Sequence, residues 1–387
     1  MKKLKKMLYW TLGIVAVLAV AVLLVLQHPD FGRTPTGERL ERIKQSPNYR
    51  NGEFQNQIPT ALMTGTENQN VVAAWWDFFF KERPNLVPEE PVKVVRTDLN
   101  SLPRDSDCIV WFGHSSYLLQ LAGKRLLVDP VFDKAVPLSS IFGKTFPGAD
   151  VYQASDMPEV DYLVISHDHY DHLSRKDVQL LMPKVGHVVC PLGVGEHLEY
   201  WGYPVEKITE LDWNENYGCA DGFIFHCTPA RHFSGRLLKR NQALWASFIV
   251  ESPTLKVFVG GDSGYGPHFK AIGEKHQDID VAILENGQYD KSWSQIHTMP
   301  DELGKEAVEL GAREIITVHH GKYCISNHTW DEPLRNEQQV AKDYHLNLTV
   351  LTIGKPQGLT KMQRIYEENC NDVGSTPDNQ PECMLTK

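Results

Sequence analysis

The hydrophobic pattern opens with a run that does not alternate at all. From Met7 to Gln27 no charged residue appears, and Ile14 to Leu26 is unbroken Ala, Val, Leu and Ile. Roughly 20 apolar residues are enough to span a bilayer core as a helix. Lys2, Lys3, Lys5 and Lys6 precede the run. Because lysine and arginine stay on the cytoplasmic side, they hold the N-terminus there and place everything after Gln27 outside, in the periplasm if the cell is bacterial. A cleaved signal shares the charged start, but its apolar region is shorter and ends in a small-x-small site. This run ends Val22-Leu23-Leu24-Val25-Leu26-Gln27. The pattern predicts a single-pass transmembrane anchor over residues 1–27.

Residues 28–105 are rich in Pro, Asn, Gln and charge, with one aromatic cluster at Trp75 to Phe80. They read as an arm that packs onto the following domain. From Cys108, short β-type runs alternate with turns and helical patterns. The expected strands are Cys108 to Phe112, Tyr117 to Leu121, Arg125 to Val128, Tyr162 to Ser166, Phe223 to Thr228, Leu244 to Val250, Lys256 to Val259, Val281 to Leu284, Glu314 to Val318 and Leu348 to Ile353. Thr298-Met299-Pro300-Asp301 predicts a helix start, with Leu303, Ala307, Val308 and Leu310 as its apolar stripe. Residues 106–368 thus form one α/β domain, and 369–387 a polar tail.

Composition changes this picture little. At 42% hydrophobic and 23% charged, 387 residues can bury a full core. Setting the four N-terminal lysines aside from a net charge of −10 leaves −14 on the remainder, which argues against nucleic acid as a partner. Seven cysteines without a CxxC do not form a disulfide framework, although Cys370 and Cys383 could close a loop in the tail. Oligomeric state is not legible.

The chemistry sits where the strands end. Tyr162 to Ser166 delivers directly into His167-Asp168-His169-Tyr170-Asp171-His172. Imidazole and carboxylate are the donors of catalytic zinc, which keeps a position open for water, whereas closed structural sites more often recruit thiolates. Alternate residues of an extended segment point the same way, so His167 and His169 can grip one ion. Asp171 and His172, at the turn, are placed for a second.

This HxHxDH pattern resembles the signature of the metallo-β-lactamase superfamily, whose αβ/βα sandwich carries a binuclear site. The resemblance implies three further ligands at the ends of later strands, and His232, Asp262 and His319 stand there, with His320 next to the last. By position in the pattern, His167, His169 and His232 hold one metal, and Asp171, His172 and His319 the second. The resemblance implies that Asp262 bridges both. Two zinc ions are implied, and sequence does not separate zinc from iron or manganese. A pair of close metal ions makes hydroxide from water at neutral pH and stabilises charge on phosphodiester or acyl oxygens; Asp171 could orient that hydroxide and accept its proton.

Further motifs narrow the resemblance. Trp111 to Ser116, Asp129 to Phe132, Leu211-Asp212-Trp213, His226 to His232, Gly287-Gln288-Tyr289 and Gln295 to Glu302 are similar to the phospholipase D family that hydrolyses N-acyl-phosphatidylethanolamine. Phe31-Gly32-Arg33 and Ser46 to Tyr49 in the arm fit as well. The resemblance implies a phospholipid substrate in the membrane, with N-acylethanolamine and phosphatidic acid as products. It carries His297 into the site beside the phosphate or leaving group, and leaves Asp129 and His114 as buttresses of the ligand loops. Lactonases and other phosphodiesterases share the metal platform. A non-hydrolytic metal- or ligand-binding membrane protein is the reading from another class; it requires a damaged site, and all seven expected ligands are present.

Overall fold

The unbroken apolar run forms one helix, α1 (Lys2–Leu26), in the computed structural model, which describes residues 2–64, 83–136, 143, 145–236 and 239–360. Its stretch Lys5–Leu26 is long and apolar enough to cross a membrane, and the described protein does not bury it. The chain is then gripped at once. Trp201 Nε1 donates to the Pro29 carbonyl at 2.9 Å, and the Arg236 guanidinium donates to the Asp30 carbonyl at 3.0 and 2.8 Å. Arg236 is buried and also donates to the carbonyls of Asp168 at 2.6 Å and Leu173 at 2.8 Å. One side chain therefore ties the start of the arm to the HxHxDH loop.

Helix α2 (Gly37–Gln45) and the hairpin of β1 (Tyr49–Arg50) and β2 (Glu53–Phe54) follow, with Ile43 and Phe54 fully buried. Arg39 fans onto Glu196 at 2.7 Å, Glu199 at 2.8 Å and Glu210 at 2.6 Å, so arm and domain share charges as well as apolar contacts.

Two seven-stranded sheets carry the rest. The first holds β3 (Cys108–Trp111), β4 (Tyr117–Leu121), β5 (Lys124–Val128), β6 (Val160–Val164), β7 (Val185–Pro191) and β8 (Ile208–Leu211), edged by a late strand. The second holds β9 (Asn216–Gly218), β10 (Ile224–Thr228), β11 (Ser247–Glu251), β12 (Lys256–Val259), β13 (Val281–Glu285), β14 (Glu314–Val318) and β15 (Leu348–Thr349). The late edge strand is β16 (Gln357–Gly358), antiparallel to β3.

Alternation along single strands sets the layers. Ile109, Leu119, Leu126, Phe225, Phe248, Val257 and Ile283 meet in the core between the sheets. Their neighbours Val110, Leu118 and Leu127 face outward toward α3 (Arg175–Leu181) and α4 (Val194–Tyr200). Ile249, Phe258 and Ala282 face outward toward α5 (His268–Lys275), α6 (Leu303–Leu310) and α7 (Glu332–Asp343). The result is helix, sheet, sheet, helix: the expected αβ/βα sandwich. Parallel pairing of β12 with β13 and of β13 with β14 brings three strand ends to one edge.

Several local expectations change. The helix expected from Thr298 starts at Leu303, because the Thr298 hydroxyl is held between the Ser263 carbonyl at 2.9 Å and the Glu306 carboxyl at 2.9 Å instead of capping. The strand expected from Leu244 begins its ladder at Ser247, and the one expected over Leu348 to Ile353 ends at Thr349. The aromatic cluster Trp75 to Phe80, the apolar Leu138, Ile141 and Phe142, and the tail with Cys370 and Cys383 lie outside the described residues.

Candidate metal centre

The HxHxDH loop leaves β6 with its alternate side chains turned to one place. His167 Nε2 lies 2.9 Å from His169 Nδ1, which lies 3.1 Å from His232 Nε2. Two imidazole nitrogens on one tetrahedral zinc, bound at about 2.0–2.1 Å, sit about 3.3 Å apart. The three rings are spaced for a shared cation. His232 is fixed from behind: its Nδ1 donates to the Ile296 carbonyl at 2.7 Å, which turns Nε2 inward.

A second cluster brings together Asp171, His172, His319 and also His114. Asp262 stands between the two. Its Oδ2 lies 3.9 Å from His167 Nε2 and 3.8 Å from His232 Nε2, and its Oδ1 lies 3.2 Å from both His172 Nε2 and His319 Nδ1. One carboxylate oxygen thus faces each cluster. His172 Nε2, His319 Nε2 and Asp262 Oδ1 are buried with no hydrogen-bond partner among the described residues. Unpaired buried donors and acceptors are costly, so a bound cation fits what these atoms lack.

Asp129 buttresses this cluster. It accepts from Ser166 N at 2.8 Å, Ser166 Oγ at 2.6 Å and His172 Nδ1 at 2.8 Å. Fixing Nδ1 orients the ring and makes Nε2 the better donor to a metal. His114 Nε2 sits 2.9 Å from Asp171 Oδ2 and holds that carboxylate. His319, not His320, joins the cluster; His320 turns to Thr317 Oγ1 at 3.2 Å and to the Trp111 ring. Asp168 turns away as well, toward His197 Nε2 at 3.2 Å.

Electrostatics sort the groups. Burial, aided by neighbouring imidazoles, holds His167, His232 and His319 well below the usual histidine range, so they stand neutral with a lone pair to give. Burial opposes charge on Asp171 and Asp262 too, but the facing histidines outweigh it and keep both ionised.

His297 reaches the same place. Its Nδ1 is 3.0 Å from Glu285 Oε2 and 4.0 Å from Asp262 Oδ2, and its ring stacks 5.5 Å from that of His319. Burial opposes a charge on His297, but Glu285 and Asp262 outweigh it and raise its pKa. Glu285 is a site residue the sequence reading missed. It is buried at the end of β13, accepts from Thr298 N at 2.6 Å, and burial pushes its carboxyl up to about 7. The signal was its place at the end of a strand next to the one that leads to Asp262. Asn56 of the arm was missed as well: its side chain brackets the His232 backbone, donating to the carbonyl at 2.8 Å and accepting from the amide at 3.1 Å.

Strain gathers here. His114, Asp129, Gln288 and His319 all hold positive φ, at 55°, 41°, 55° and 70°. Such conformations cost of order 1–3 kcal/mol each and persist where surrounding contacts over-determine them. Above the clusters opens a cavity of about 260 Å3, walled on its apolar side by Leu62, Met63, Phe233, Trp293, Ile296 and Ile325, with Arg240 also at the wall.

The chain is similar to known proteins. The family profile of the beta-lactamase superfamily domain covers residues 124–320. An uncharacterised protein of Mycobacterium tuberculosis is 34% identical over 84% of this chain and 87% of its own. The N-acyl-phosphatidylethanolamine-hydrolysing phospholipase D 1 of Caenorhabditis elegans is 31% identical over 55% of this chain and 63% of its own length. Among solved structures, a metallo hydrolase from Ignicoccus hospitalis superposes with a TM-score of 0.51 at 17% identity, covering 66% of this chain and 98% of its own. The chain belongs to the metallo-β-lactamase superfamily, as a metal-dependent hydrolase with an N-acyl-phosphatidylethanolamine-hydrolysing phospholipase D among its relatives.

Proposed function

We propose that this chain is a membrane-anchored, binuclear zinc phosphodiesterase of the phospholipase D type, which hydrolyses N-acyl-phosphatidylethanolamine to N-acylethanolamine and phosphatidic acid. The observation that carries the reading is the cavity itself, where an apolar wall and one arginine flank two donor clusters. At about 260 Å3 it suits a phosphodiester and its neighbouring carbons, with the acyl chains left along the rim. The Caenorhabditis elegans relative supports the substrate class by its name.

His167, His169 and His232 would hold one ion, Asp171, His172 and His319 the other, with Asp262 between them. Bound zinc would supply positive charge that lowers the pKa of water and neutralises developing oxyanion charge. Asp171, held ionised, orients the attacking water and takes its proton. As the water oxygen joins phosphorus, the bond from phosphorus to the N-acylethanolamine oxygen breaks. His297, steadied by Glu285 through Nδ1, donates a proton to that leaving oxygen. α1 is proposed as the anchor, with the N-terminus cytoplasmic and the catalytic part outside.

The test is the full chain in detergent, metal-replete, offered N-acyl-phosphatidylethanolamine, ordinary phosphatidylethanolamine and a lactone panel, with Asp171→Asn as control. Release of N-acylethanolamine by the wild type alone is expected. If only lactones are consumed, the lipid reading is wrong. A C-terminal reporter active only in the cytoplasm would overturn the topology.

A further inference from the structure

A third group of metal donors lies on the far side of the second sheet, apart from the hydrolytic centre. His226 is on β10 and Glu251 on β11. The strand register pairs His226 with Ile249, so Glu251, two residues on, projects from the same face. That face is the helix-covered one, since Ile249 belongs to the outer layer while Phe225 and Cys227 point into the core between the sheets. His276 caps the C-terminal end of α5 and completes the group from the helix layer.

The three side chains offer donor atoms that all lie within 4.8 Å of one another. His226 Nε2 is 3.5 Å from Glu251 Oε2, and the two imidazole rings stand 4.8 Å apart. His226 Nε2 and His276 Nε2 are both buried and neither has a hydrogen-bond partner among the described residues. His276 as a whole is only 7% exposed, so its unpaired nitrogen is aimed into the protein and not at solvent. Two unpaired imidazole nitrogens turned to one carboxylate oxygen lack a cation or a water.

We propose that His226, Glu251 and His276 form a second, separate metal site, which binds a divalent transition metal of the zinc class. Two imidazoles and a carboxylate suit zinc, copper or nickel better than magnesium or calcium, which take oxygen donors. The charges around the site agree. Glu251 divides its oxygens: Oε1 takes Lys256 Nζ at 3.0 Å and Oε2 is left to the histidines. Lys256 also donates to the Gln277 carbonyl at 2.9 Å, and Lys275 is drawn off to Asn214 Oδ1 at 3.1 Å. Burial, then the nearby His226, pushes His276 down to about 4, so its lone pair is available at neutral pH. The C-terminal end of a helix carries partial negative charge and favours a cation. His226 and Glu251 are partly exposed, at 21% and 31% of their side chains, which leaves an opening for a water as fourth ligand. An ion there would staple α5 to the two strands, and β10 is the strand that leads to His232.

The full chain in detergent is dialysed against buffered zinc, and bound zinc is counted per chain by atomic emission for wild type, His226→Asn and His276→Asn. The wild type is expected to bind one zinc more than either variant and to gain a zinc-dependent rise in melting temperature that both lose, with hydrolysis kept within about twofold. Equal zinc content in all three overturns the proposal and leaves a water as the occupant. Should either substitution fail to fold, the wild type alone decides: a third tightly bound zinc per chain must appear beyond the two of the hydrolytic centre, and saturation at two refutes the site. Failure of the hydrolase reading would instead show as absent turnover beside an intact difference in zinc content.

Discussion

Asp129→Asn tests how the hydrolytic centre is held from behind. Asp129 touches no atom of the proposed metals; it acts through His172 Nδ1 at 2.8 Å and Ser166. Its φ of 41° is one that asparagine tolerates well, so the substitution changes side-chain chemistry and spares the backbone. The amide oxygen can still accept from Ser166 N, but the acceptor for His172 Nδ1–H loses its charge or is replaced by a donor. A hydrogen bond to a charged group contributes about 1.5–3 kcal/mol. Loss of an outer-shell partner weakens metal affinity by about 10–100-fold, or about 1.4–2.7 kcal/mol, so the two estimates agree. Competition with a chromogenic chelator on the full chain should show one ion bound about 10–100-fold more weakly and the other, reached only through Ser166 Oγ and His167 Nδ1 at 2.9 Å, less affected. Unchanged affinity for both, or an equal loss at both, would refute a role exercised through His172.

Two other outcomes follow from the same structure. His297→Gln should lower kcat by about 100-fold or more, as expected for loss of a general acid, while bound metal stays the same; a kcat within about threefold of wild type would remove His297 from the chemistry. Burial raises the Glu337 carboxyl from 4.5 to about 7, so the native state keeps a proton that the unfolded chain releases, and stability falls as pH rises from about 4.5 through 7. Glu337→Gln should therefore match wild type at pH 5 and be more stable at pH 8, by of order 2–3 kcal/mol; melting temperatures that differ equally at both pH values would contradict the assignment.

Much of the centre was legible because its donors sit at strand ends. His167 to His172 follow one buried strand, and His232, Asp262 and His319 each follow another. Glu285 was lost by one residue: the expected strand stopped at Leu284, and a glutamate after an apolar run reads as the return to solvent, whereas here it is buried. β7 was passed over because Gly186 and His187 interrupt its apolar run; Gly186 is required where a Cβ would meet the Asp161 carbonyl at 2.8 Å. Asn56 left no local trace, since its partner His232 is 176 residues away. Contacts across that separation belong to tertiary packing, which periodicity does not encode.

The grip on Pro29 and Asp30 bears on how such an enzyme would search for substrate. Helix α1 ends at Leu26, and Pro29 is already bound to Trp201. Three residue steps reach at most about 10 Å when extended. With α1 seated in a bilayer, the catalytic mouth cannot wander on a long leash or dip repeatedly from solution. Its height and bearing above the lipid would be set within narrow limits, and a lipid substrate of the proposed kind would arrive by two-dimensional diffusion past a fixed opening. Turnover would then scale with the mole fraction of substrate in the membrane and hardly at all with the volume of the surrounding water.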